Sequence, residues 1–162
     1  MVTLRCTRKL LGRFRGLAEP SPTPPTTRLG NWHANLILRP GGHLVLCVSE
    51  RTLLPVVIPA REMVTLAPRF RRAVGDLLRA LAVPDREVEE EEHAMSDVLF
   101  GPTTSRQVLG SMNDFAEAIR FAGRRSESLL DLALWLAETP CGPLKMDSPW
   151  RATVSLFAPE RC

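Results

Sequence analysis

The run Leu44-Val45-Leu46-Cys47-Val48 is apolar at every position, and it constrains the fold more than any other segment. A strand with one wet face alternates; a strand apolar on both faces belongs at the centre of a sheet. Its neighbours fit that reading. Trp32–Arg39 alternates, with Ala34, Leu36 and Leu38 on one face and His33, Asn35 and Ile37 on the other. Pro40-Gly41-Gly42 and Ser49-Glu50-Arg51 are turn signals on either side of the central run. Leu53–Ile58 returns as a further strand, and Pro55 within it assigns that strand to an edge or a bulge, because proline has no N–H for a ladder. Val2, Leu4 and Cys6 alternate as a first strand, and Asp97–Gly101 adds a fifth.

Helical periodicity fills the rest. Thr7 is placed to cap a short basic helix over Arg8–Arg15. After Pro68, a residue suited to a first helical turn, Phe70, Ala73, Val74, Leu77, Leu78 and Leu81 share one side and Arg69, Arg72, Asp76 and Arg79 the other. Asp85 through Glu92 reads as a short exposed acidic helix. Ser105–Phe121 places Val108, Leu109, Met112, Phe115, Ala116 and Ile119 on one face, and Arg106, Asn113, Glu117, Arg120 and Arg124 on the opposite polar stripe. Gly110 inside it costs about 1 kcal/mol relative to alanine, which calls for close approach of another element or a ligand. Leu129–Ala137 is apolar nearly all round, so this helix is expected in the middle of the domain, with Leu129, Leu132, Trp135 and Leu136 at the core centre. Ser148-Pro149 starts a last helix, with a cap followed by proline at its first position. The sum is an α+β fold, a small, mainly antiparallel sheet of four to five strands packed by several helices, one of them central and buried. The 162 residues suit a single domain, 1–162. The Pro-rich connector 19–27 lies within it, since the residues before it are too few to form a core.

Charge is unevenly spread. Residues 1–81 carry 13 Lys/Arg against 4 Asp/Glu, and residues 82–162 carry 8 against 14. Either the halves neutralise each other and present solvated faces, or the basic N-terminal part meets nucleic acid. Phe14 is the only aromatic beside the N-terminal basic residues, a thin supply of stacking platforms for a single-strand binder. No stretch approaches the ~18 apolar residues of a membrane span. The basic N-terminal stretch lacks the apolar core of a secretory signal. Cys6, Cys47, Cys141 and Cys162 show no paired spacing, which reads as reduced thiols in the cytoplasm, with Cys141 in its Pro-Cys-Gly-Pro turn the one expected to be exposed. His33 and His43 are placed to meet across a hairpin, but two ligands do not make a zinc site. No metal and no cofactor are expected.

Phosphate loops, nucleophile elbows and zinc-protease or deaminase signatures are all absent. The polar constellation left is Arg106, Ser111, Asn113 and Asp114, with Asn35 and Lys9 as outside candidates. Arg106 has the chemistry to clamp an anion, and Asn113 and Asp114 to hydrogen-bond a base, sugar or partner backbone. The structural alternative is a set of braces, and Asp114, which lies off the main polar stripe, leans that way. No catalytic residue is assigned.

The segments Arg5-Cys6-Thr7-Arg8-Lys9-Leu10-Leu11, Trp32-His33-Ala34-Asn35-Leu36, Leu109-Gly110-Ser111-Met112-Asn113-Asp114 and Leu136-Ala137-Glu138-Thr139-Pro140-Cys141-Gly142-Pro143-Leu144 together resemble a bacterial family of unassigned function. The resemblance covers nearly the whole chain. His33 stands where an aromatic is more usual. It implies a bacterial cytosolic setting and supplies no catalytic residues. Three readings follow: a non-catalytic interaction protein with a protein partner, for instance in a toxin–antitoxin or phage-defence pair; a nucleic-acid binder using the basic N-terminal half; and a small enzyme with an unfamiliar site around Ser111–Asp114.

Overall fold

A computed structural model describes residues 1–14, 23–122 and 128–160. Five strands, β1 (Val2–Cys6), β2 (Trp32–Ile37), β3 (Leu44–Ser49), β4 (Pro55–Pro59) and β5 (Val98–Pro102), form one sheet in the order β4-β3-β2-β1-β5. The meander β2-β3-β4 is antiparallel, as the turn signals require. The sheet is mainly antiparallel, as expected, but it is mixed, because β1 runs parallel to both β2 and β5. The physical reason is the length of the links. More than twenty residues separate β1 from β2, enough for a crossover, whereas the links within the meander allow only hairpins.

Each face of the sheet carries its own core. On the first, Leu4, Trp32, Ala34, Cys47 and Val56 lie in register beneath α2 (Leu66–Ala80). Trp32 meets Phe70 edge-on with ring centroids 5.2 Å apart, and burying a Phe fully is worth roughly 1.5–3 kcal/mol. On the second face, Ile37, Leu44, Leu46, Val48 and Val57 pack against α4 (Arg106–Ala122). A central strand apolar on both sides is what two such cores demand, and β3 is buried along its whole length.

Local signals set the helix ends. α2 stops in a Schellman motif: the N–H of Val83 donates to the Leu78 carbonyl and that of Ala82 to the Arg79 carbonyl, with Ala82 left-handed at φ 61°. The acidic block forms α3 (Asp85–Ala94), but it is not simply solvated. Glu91 is buried and accepts from the N–H groups of Arg28 (2.8 Å) and Leu29 (3.0 Å). Arg28 pairs with Glu87 at 2.7 Å and Arg79 with Glu92 at 2.9 Å, so basic and acidic halves of the chain neutralise each other across this side. The Ser148 hydroxyl caps α6 (Pro149–Phe157) by accepting from the Arg151 N–H, with Pro149 at the first position. The basic helix is only α1 (Arg8–Leu11) among the described residues. Thr7 does not cap it; its hydroxyl donates instead to Asn35 Oδ1.

The largest correction concerns α5 (Leu129–Ala137), which is not central. It lies along β4 at the sheet edge, where Ala133 and Ala137 join the first core and Leu132 and Leu136 the second. Touching two cores uses two sides of one helix and leaves the remaining side to solvent, so Trp135 is 47% exposed rather than at the core centre. Leu129 is half-buried. His33 and His43 do not meet either, since His33 stands opposite Val48. Gly110 is exposed, and a methyl group added there meets nothing within 4 Å, so no close approach justifies it.

Candidate functional site

Of the six residues singled out by sequence, the structure brings two together. Ser111, buried on α4, and Asp114, exposed one turn on, line a cavity of about 100 Å³ closed by the turn Thr139–Pro143. Cys141 faces them. It is buried, contrary to expectation, and its Sγ–H donates to the Thr139 carbonyl at 3.4 Å. Burial pushes its thiol pKa up, and the Asp114 carboxylate pushes it the same way. The thiolate form needed for attack is therefore disfavoured. No imidazole lines the cavity, and among the described residues no hydrogen bond joins Ser111 to the Asp114 carboxylate.

Arg106 and Asn113 are exposed on α4 and line neither this cavity nor the larger one described below. Asn35 is half-buried and engaged by Thr7 at 2.8 Å, while Lys9 is exposed on α1. Among the described residues, no side-chain hydrogen bond or ion pair involves Arg106, Asn113 or Asp114, so the bracing role expected of Asp114 has no partner. The polar stripe is a solvated helix face with one shallow recess; Arg124 lies outside the described residues.

Sequence reading missed a polar cluster on the second face of the sheet. Arg5 and His33 are register partners on β1 and β2, with Gly101 of β5 beyond Arg5. Arg5 Nε and His33 Nδ1 approach the same Glu50 oxygen, at 3.4 and 3.6 Å. His33 is 0% exposed, and its Nε2 accepts from the N–H groups of Thr104 and Ser105, both at 3.3 Å. Accepting at Nε2 requires a neutral ring with its proton on Nδ1, facing the carboxylate. Burial, and then the charge of Arg5, lower its pKa from 6.5 to about 4. With Nε2 committed to the segment that opens α4, His33 holds the helix to the sheet and is not free to shuttle protons. Among the described residues no group of three or more His, Cys, Asp or Glu gathers to hold a metal ion.

One surface feature without an internal role is the outward side of α5 and its surroundings; Val64 and Phe121 are exposed apolar side chains elsewhere. Trp135 and Leu130 on α5 and Val154 on the adjacent α6 are exposed apolar side chains. Between the two helices, Met146 is 66% exposed and sits with Lys145 in consecutive left-handed conformations, at φ 67° and 54°. Non-glycine residues so placed cost of order 1–3 kcal/mol each. The turn is held by reciprocal bonds from the Met146 N–H to the Cys141 carbonyl and from the Cys141 N–H to the Asp147 carbonyl. Asp131 and Glu138 are exposed at the two ends of α5 and enter no ion pair among the described residues. The surface is apolar, with Asp131 and Glu138 exposed on α5 and Lys145 and Arg151 exposed toward α6.

No helix among the described residues is long and apolar enough to cross a membrane. No curated protein and no solved structure matches the chain. A match does exist to a family described as a domain of unknown function, DUF6933, and it runs over residues 3–152. That span takes in β1 from Thr3, the other four strands, the His33 cluster and α5, and it ends within α6 before Val154. The chain belongs to the DUF6933 family.

Proposed function

We propose that the chain is a non-catalytic interaction protein of the bacterial cytosol, one member of a pair such as a toxin–antitoxin or phage-defence couple. Its partner is a protein that covers the outward side of α5 and α6. One observation carries this: a helix apolar nearly all round stands at the surface with Trp135 half exposed. A helix of that composition is at rest only when every side is covered. Exposed aromatics beside apolar neighbours are the usual anchors of protein interfaces. Asp131 and Glu138 on α5, with Lys145 and Arg151 toward α6, select a partner whose apolar patch is edged by Lys or Arg on the one side and by Asp or Glu on the other.

The alternatives draw less support. Arg8, Lys9 and Arg13 are exposed, as a nucleic-acid binder would need. Phe14, however, packs against Phe100 at 4.9 Å and is not free to stack a base. The Ser111–Asp114 recess offers no activated nucleophile, as the raised pKa of Cys141 attests.

Calorimetry with a purified partner tests the proposal. Trp135→Ser is expected to abolish binding, and Lys9→Ala to leave it unchanged. Equal affinity of wild type and Trp135→Ser for every partner found would overturn it.

A further inference from the structure

A cleft of about 270 Å³ runs along the free edge of β4 between α2 and α5. Its polar content follows from the ladder. The Ala60 N–H donates to the His43 carbonyl at 2.9 Å, and the Ser49 N–H to the Leu54 carbonyl at 3.1 Å. With Val45 opposite Ile58 and Cys47 opposite Val56, antiparallel alternation turns the main-chain groups of Leu54, Val56, Ile58 and Ala60 toward β3. Those of Pro55, Val57 and Pro59 point outward. Two of these three are prolines with no N–H to offer, which is how an edge strand is protected from adding another strand. The Pro59 carbonyl is taken by Arg69 Nη1 at 2.6 Å.

One donor remains, the N–H of Val57. Val57 is 5% exposed and lines the cleft, and among the described residues its N–H has no partner. A buried main-chain N–H left unpaired is uncommon and costs free energy unless something bonds to it. The walls around it are apolar, with Ile58 on β4, Ala73 and Leu77 on α2, and Leu129 and Ala133 on α5. The rim carries Arg69, Arg72 and Asp76. Neither arginine has a carboxylate partner among the described residues, while Asp76 acts on the neighbouring Arg79. The mouth is net positive above walls that are apolar, with the Val57 N–H as the one main-chain donor and the Val57 carbonyl turned the same way beside it.

We propose that this cleft binds a small apolar carboxylate. One carboxylate oxygen accepts from the Val57 N–H, the Arg72 guanidinium carries the charge, and the apolar body lies between α2 and α5. Volume and lining suit a ligand at the small end of the range, since pockets for drug-sized molecules begin at roughly 300 Å³. The two outward prolines exclude an extended peptide, which draws its affinity from a row of edge N–H groups. Leu130 borders both this cleft and the outward side of α5, but Val57 and Arg72 belong to the cleft alone, so a readout at those two residues reports on the cleft without reporting on the α5 surface.

The test is a titration of the 15N-labelled full chain with octanoate, followed by NMR at the Val57 amide. Octanol serves as an uncharged probe and an acetylated apolar tripeptide with a free carboxylate as a peptide probe. The expected result is a saturable downfield shift of the Val57 N–H with octanoate. Binding should weaken about tenfold or more in Arg72→Gln, the scale of one charge-assisted hydrogen bond, and stay unchanged in Arg71→Gln. Arg71 and Arg72 are both exposed, so neither change threatens the fold. No saturable shift at Val57, octanol binding as tightly as octanoate, or equal weakening by the two arginine variants would each overturn the proposal. Tighter binding of the tripeptide than of octanoate would replace it with a peptide site.

Discussion

Acidification should weaken this protein at His33. The ring is buried and neutral, with Arg5 and Glu50 facing Nδ1 and the N–H groups of Thr104 and Ser105 facing Nε2. Protonation at Nε2 removes the acceptor that holds the start of α4 and sets two N–H groups against a third. The folded pKa of about 4 lies below the ordinary 6.5, so the unfolded chain takes up the proton first as pH falls. Stability is therefore fully present above about pH 6.5, declines below it, and is lost by about pH 4. The gap between those values corresponds to about 3 kcal/mol. That is a large share of the ~5–15 kcal/mol that holds a typical domain together. His33→Gln keeps an acceptor for Thr104 and Ser105 without a titrating ring. Urea melts of both proteins between about pH 7 and pH 4 isolate the contribution, because other titrating groups are common to the two. Wild type should lose about 3 kcal/mol more than His33→Gln across that interval. Parallel curves would refute the buried, neutral assignment.

Three further outcomes test the packing. Gly110→Ala should stabilise the protein by about 1 kcal/mol, since the added methyl enters open space on a helix; a loss in a urea melt would reveal an unseen contact. Ala82→Gly should raise the melting temperature, gaining roughly 0.5–1 kcal/mol at the left-handed end of α2, and no gain would place the strain elsewhere. Leu136→Ala should cost about 2–5 kcal/mol but Trp135→Ala only about 1–2, because one is enclosed and the other half exposed; equal losses in denaturant melts would return Trp135 to the core.

What could be read from sequence was local chemistry. The doubly apolar run became the buried strand β3, and Pro55 confined β4 to an edge or a bulge, of which the structure has the edge, because a missing N–H means the same thing in any context. Ser148-Pro149 capped α6 for a similarly local reason. What escaped depended on contacts between distant segments. Apolar composition on all sides of α5 is compatible with burial in the middle of a fold or with a position along a sheet edge, and only the tertiary arrangement, with two cores meeting at β4, decides. His33 read as a neighbour of His43 across a hairpin because Arg5, Glu50 and Ser105, its actual neighbours, are scattered along the sequence and converge only in the sheet. The Ser111–Asp114 pairing was visible as one helical turn, but the buried Cys141 opposite it was not, since the turn that carries it is brought there by the fold.

The central claim, that the outward side of α5 is covered by a protein, is tested most directly by a photo-crosslinking amino acid placed at Trp135 in living cells, with Asn113 as the comparison position. Both side chains are exposed, so neither replacement disturbs a core. The account predicts one discrete adduct from position 135 and none from position 113. Discrete adducts from position 113 with none from 135 would contradict it, moving the interface to the polar stripe of α4.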